Sequence, residues 1–180
     1  MRSVYMTKKI GDDANQSMLD FGPDQLFLGH FKRLGLTAII PATDGSKIIP
    51  GSDAFSHYIA DDFVRFGLNG IDEPRPKTRV ESLELAVNCD AERFFLAFGR
   101  LDQSVMTNDQ IIWVVKENPD LLTTETSDHF NFFLKKKGEE FFLVFVAFKR
   151  RMGFRIGVFQ INRRICWYVH DRRPRIIRPM

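Results

Sequence analysis

Apolar and polar positions alternate along the chain in patterns that divide it into short segments. Residues 1–10 read as a strand around Val4, Tyr5 and Met6, or as a loose arm. Gly22-Pro23 opens a predicted helix, because proline in a first helical turn has no amide to satisfy. Leu26, Phe27, Phe31 and Leu34 would line one face of it. His30, Lys32 and Arg33 would suit the negative end of its dipole, with Gly35 as the stop. Residues 36–40 read as a strand, Asp44-Gly45 as a turn and residues 47–49 as a short returning strand. Ser52 is an N-cap for a second predicted helix over 53–66. Phe55, Ile59, Phe63 and Phe66 recur there at helical spacing, and Gly67 closes it. Residues 67–78 are rich in Gly, Pro and charge and form a loop.

The second half is richer in sheet signals. Residues 79–89 alternate, placing Leu83, Leu85, Val87 and Cys89 on one strand face. In 90–101, Ala91, Phe94, Phe95 and Phe98 fit a helix after Asp90, whereas Phe94, Leu96 and Phe98 fit a strand. The sheet preference of phenylalanine favours the strand. Residues 110–116 are short and β-branched and read as a strand, although Thr107-x-x-Gln110 is a capping box that argues for a helix. Residues 127–137 fit either a helix capped by Ser127 or a strand entering a hairpin at Lys137-Gly138. Residues 141–148 are apolar at every position, as in a strand covered on both faces.

Turn chemistry then sets a register. A loop of Arg151, Met152 and Gly153 would pair Lys149 with Arg155 and Ala147 with Gly157. A turn at Asn162-Arg163 would pair Gly157 with Tyr168 and Arg155 with His170. One face would carry Val144, Val146, Phe148, Ile156, Val158, Trp167 and Val169. The other would carry Phe141, Leu143, Phe145 and Phe159, then a polar row of Lys149, Arg155 and His170 with Tyr168 beside it. The expected fold is α+β: an antiparallel sheet with a C-terminal three-stranded meander, packed by two or three helices. The chain reads as a single domain, 1–180. Within it are an N-terminal lobe over 1–67, a loop over 68–78, a sheet region over 79–171 and a basic tail over 172–180.

Composition narrows the class. Of 180 residues, 44% are hydrophobic and 27% charged, which excludes disordered, collagenous and coiled-coil chains. No apolar run approaches the roughly 18–20 residues of a bilayer span, and the N-terminus has no signal-peptide core. Two cysteines cannot build a disulfide framework. The expectation is a soluble cytoplasmic protein. Charge changes the picture more. Residues 149–180 hold ten Lys or Arg, nine of them Arg, against one acid, for a net +9; residues 1–148 carry a net −6. Such a split points to an anionic partner, nucleic acid or an acidic protein, or to pairing with the chain's own acidic half.

A row of like charges across strands needs a counter-ion. A phosphate is one candidate; Asp128, Glu139 or Glu140 would serve internally. The candidate nucleic-acid-binding set is Lys149, Arg150, Arg151, Arg155, Arg163, Arg164, Tyr168, His170, Arg172, Arg173 and Arg175, acting on single-stranded RNA or DNA or another polyanion. One alternative is an interaction subunit that docks an acidic partner. A second is an RNA-cleaving or phosphate-ester-acting enzyme, with His170 as general acid or base and Arg155 and Lys149 stabilising phosphate charge. Residues 153–173 (GFRIGVFQINRRICWYVHDRR) resemble the closing basic strands of small RNA-cleaving toxins of the RelE type, over that stretch alone. Asp53, His57 and Asp61 at i, i+4 and i+8 form a weak metal-ligand candidate, for which a solvated helix face is the simpler account. Neither GxxxxGK[ST] nor GxGxxG occurs, and no cofactor is expected.

Overall fold

A computed structural model of the chain describes residues 30–55, 58–122, 129–158, 166–167 and 174–180. Seven strands form one mixed, mostly antiparallel sheet. In chain order its members are β1 (Phe31–Ile40), β2 (Tyr58–Ile59), β3 (Thr78–Leu85), β5 (Phe130–Lys137), β6 (Glu140–Lys149), β7 (Gly153–Val158) and β9 (Arg175–Pro179). Their spatial order is β1-β3-β9-β5-β6-β7-β2. A separate two-stranded pair joins β4 (Cys89–Asp90) to β8 (Cys166–Trp167). Among the described residues four short helices accompany them: α1 (Asp61–Arg65), α2 (Ala91–Leu96), α3 (Leu101–Ser104) and α4 (Asn108–Glu117).

The sheet separates two apolar cores, because side chains alternate across it. Phe142, Val144 and Val146 of β6 join Val80, Phe133, Ile156 and Ile177 on one side, under α4. Leu143 and Ala147 of β6 join Leu83, Phe132, Leu134 and Ile176 on the other, under Phe94 and Phe98 around α2. β6 is the continuous apolar strand the sequence singles out, and it lies between β5 and β7 with both faces covered.

Local chemistry explains where structure and sequence pattern diverge. Phe31 to Leu34, expected as the last turns of a helix, belong to β1, with Phe31 packed edge-on against Phe94 at 5.6 Å. Gly35, expected as a helix stop, takes φ +72° where the β1–β3 register shifts between Arg33 and Thr37. Residues 47–49 do not return as a strand; a 3-10 turn begins at Ile49. The expected helix over 53–66 is broken into a 3-10 turn (Asp53–Phe55), β2 and α1. Phe55 and Phe63 are buried as the pattern requires, but each reaches the core from a different element.

Residues 90–101, favoured as a strand, hold α2. The Asp90 carboxylate accepts a hydrogen bond from Arg93 N at 2.9 Å and starts the helix. Residues 110–116, also favoured as a strand, lie in α4. Thr107 Oγ1 accepts from Gln110 N, and Gln110 Oε1 accepts from Thr107 N. This reciprocal cap, with Ile111, Ile112, Val114 and Val115 all buried, outweighs the modest helix penalty of β-branched residues. Residues 127–137 resolve to the strand alternative over Phe130–Lys137, with Gly138 at φ +58° in the turn to β6. The alternation over 79–89 ends at Leu85; Val87 is exposed and Cys89 lies in β4.

The C-terminal register also changes. β6 and β7 pair as Lys149 with Gly153, Ala147 with Arg155 and Phe145 with Gly157. The loop is therefore Arg150, Arg151 and Met152, with Arg151 at φ +71° and Gly153 at φ +91°. The displacement from the expected pairing is two residues. An even displacement keeps every side chain on its face, so Val144, Val146 and Ile156 still share one core. The three consecutive antiparallel strands are β5, β6 and β7, and the other neighbour of β7 is β2, with Tyr58 beside Arg155. The place beside Arg155 expected for His170 is thus taken by Tyr58, and Cys166, expected opposite Phe159, pairs with Asp90 of β4; Phe159, Tyr168 and His170 lie outside the described residues. The largest correction concerns the basic tail: Arg175–Pro179 is an internal strand, antiparallel to β3 and parallel to β5, with Ile176 and Ile177 fully buried.

Candidate functional site

The arginines of β9 are neutralised within the sheet. Arg178 Nη2 and Nε donate to Glu81 Oε1 at 2.9 and 3.1 Å, and Nη1 donates to Ala97 O. Arg175 Nε lies 3.5 Å from Glu84 Oε2. Glu81 and Glu84 sit three residues apart on β3, as Arg178 and Arg175 do on β9, and the antiparallel register places each pair in line. Arg175, a candidate for nucleic-acid contact, is thereby an internal ion-pair partner.

The β6–β7 hairpin differs. Lys149, Arg150 and Arg151 are exposed in succession at its tip and make no ion pair among the described residues. Arg155 is half-buried with its guanidinium over the rings of Phe130 and Phe145, 5.8 and 5.7 Å from their centroids. It stands opposite Ala147 instead of Lys149, so the expected direct Lys–Arg opposition does not occur. Tyr58, which the sequence reading missed inside its predicted helix, occupies the position beside Arg155 and is 49% exposed. Pro174 lies at the same end of the sheet, its carbonyl accepting from Leu85 N, and Arg172 and Arg173 precede it in the chain. Arg163, Arg164, Tyr168, His170, Arg172 and Arg173 lie outside the described residues, as does His57.

The other two members of the weak metal candidate are not on one helix. Asp53 is in a 3-10 turn and binds Lys116 Nζ at 2.7 Å, while Asp61 begins α1. Among the described residues no cluster of three metal-ligating side chains occurs.

A second polar group is internal. Lys135 on β5 is 1% exposed, and its ammonium donates to Asp72 Oδ2 at 2.9 Å, Asp72 Oδ1 at 3.2 Å and Asn108 Oδ1 at 2.8 Å. Burial pushes the Lys135 pKa down, against the pull of Asp72. Asp72 also accepts from Asn108 N at the start of α4, and Asn108 Nδ2 donates to Leu68 O and Gly70 O. The group thus ties the loop over 68–72 to β5 and α4. Next to it in sequence, Asp109 is held above the usual carboxylate range by burial. The sequence reading missed this group, because its members lie far apart along the chain. A groove of about 460 Å³ between residues 46–53 and α4 carries Trp113 with two lysines and two acids, so its charge does not select an anion.

Comparison with known protein families, curated proteins and solved structures finds no match for this chain. No helix among the described residues is long and apolar enough to cross a membrane.

Proposed function

We propose that the chain binds a phosphate-bearing polyanion, nucleic acid foremost, through the tip of the β6–β7 hairpin. The supporting observation is the run of Lys149, Arg150 and Arg151, exposed and without acidic partners among the described residues, at the end of the sheet that also holds Pro174. Consecutive cations without internal counter-ions raise the local potential, and a polyanion neutralises them while releasing its own condensed counterions. A hairpin anchored by ten-residue β6 in a closed core presents them from a rigid base.

The test is binding of labelled RNA and DNA to nuclease-treated protein across a salt series. Wild-type affinity should fall steeply with salt. Replacing Lys149, Arg150 and Arg151 together by Ala should weaken binding and flatten the slope. Replacing Lys116 and Lys136, which are already paired with Asp53 and Asp102, should do neither. Binding that is absent at low salt, or unchanged in the hairpin variant, would reject the reading.

A further inference from the structure

The face of the sheet beside the hairpin tip combines cations with an exposed ring. Parallel register sets Tyr58 against Arg155, and the next pair is Ile59 with Ile156. Ile59 packs into the core under α4, so Tyr58 stands on the opposite face, together with Arg155 and Lys149. The position opposite Lys149 is Gly153, which offers no side chain to fill the space. The next glycine on that face, Gly157, is pressed between Phe145 and Ala60: an added Cβ would lie 2.7 Å from Phe145 Cζ and 3.0 Å from Ala60 Cβ. That packing fixes β7 and β2 side by side. The Phe130 and Phe145 rings hold the Arg155 guanidinium from below. Tyr58, 49% exposed, is thus a ring beside a cation held over two rings, near three cations that make no ion pair among the described residues.

From this geometry we infer that Tyr58 is a stacking platform for an unpaired base, and that the polyanion taken by the hairpin is single-stranded nucleic acid. The inference rests on the polyanion reading above and adds the ligand class to it. Lys149 and Arg155 contact the phosphates on either side of a base laid on the Tyr58 ring. A duplex keeps its base faces stacked on one another and cannot offer one to the ring. A polyphosphate has phosphates but no base.

The test compares three probes: a short labelled oligothymidylate, a duplex of the same length and inorganic polyphosphate. Wild-type protein should bind the oligothymidylate more tightly than the duplex. Tyr58→Ala should weaken oligothymidylate binding by about 5- to 150-fold, the span of one lost base–aromatic stack. It should leave polyphosphate affinity unchanged. Tyr58→Phe keeps the ring and should bind as wild type does. Tyr58→Trp should lose fluorescence on adding oligothymidylate and not on adding polyphosphate. If Tyr58→Ala binds the oligothymidylate as wild type does, or loses both ligands equally, the platform is refuted while hairpin binding of polyphosphate stands. If wild-type protein binds none of the three probes at low salt, the polyanion reading falls with it.

Discussion

The buried Lys135–Asp72 pair makes an asymmetric prediction. Lys135 is almost fully enclosed, whereas the Asp72 side chain keeps 21% of its surface in solvent. Asp72→Ala strands an ammonium in the core with only Asn108 Oδ1 as acceptor. Breaking one side of a buried pair costs about 3–5 kcal/mol. For a chain of this size that corresponds to a fall of roughly 6–20 °C in Tm. Lys135→Met removes the buried charge instead. Asp72 then remains hydrated in part and still accepts from Asn108 N, so the loss should stay near about 1 kcal/mol. In the Lys135→Met background, Asp72→Ala should cost only its contribution at the start of α4, about 1 kcal/mol. The cycle therefore predicts a coupling of roughly 2–4 kcal/mol, measured by urea unfolding followed by circular dichroism and tryptophan fluorescence. A coupling below about 1 kcal/mol, or equal costs for the two single substitutions, would refute the reasoning.

Further expectations follow from the same structure. Because burial lowers the Lys135 pKa below its ordinary 10.5, the unfolded chain holds a proton that the folded chain has released between the lowered value and 10.5. Stability relative to Lys135→Met should therefore rise with pH through that window; a flat difference in paired urea titrations would contradict it. Gly45→Ala should destabilise by about 2–4 kcal/mol, since the residue has φ +77° and the new Cβ would lie 2.0 Å from Asp72 O. Gly35→Ala, at φ +72° with open space around it, should cost only about 1 kcal/mol by the same thermal melts. The triple hairpin substitution should lower the slope of log affinity against log salt by about 2, at roughly 0.7 per phosphate contact on a single strand, with Tm unchanged.

Much of the sheet is legible in the sequence because burial leaves an unambiguous mark on strands such as β6. Apolar residues at every position of 141–148 need two covered faces, and the fold supplies them. The helices were harder, because their deciding signals are polar. In α2 and α4 the apolar content is aromatic and β-branched, which favours strands, yet Asp90 and the Thr107–Gln110 box satisfy amide groups at the helix starts and decide the outcome. Over 53–66 the helical period arises because three separate elements each send residues into one core, so periodicity alone cannot distinguish them from one helix. That error hid Tyr58.

The C-terminal charge is the instructive case. A cluster of arginines with one acid nearby in sequence looks like a solvated, partner-seeking tail, because the neutralising residues lie almost a hundred positions away. The distinguishing signal was present in two places: Glu81 and Glu84 on one segment, Arg175 and Arg178 on the other, at equal spacing. The antiparallel pairing of those segments puts both couples in line, and it also places Leu83 against Ile176 and Ser82 against Ile177. A charge run with such a distant complement can be an internal strand. The run at 149–151 is described with no such complement, and the positive φ of Arg151 holds it in a turn instead of a ladder. That contrast separates the structural arginines from the ones available to a ligand. It confines the proposed binding surface, among the described residues, to the hairpin tip and the ring beside it.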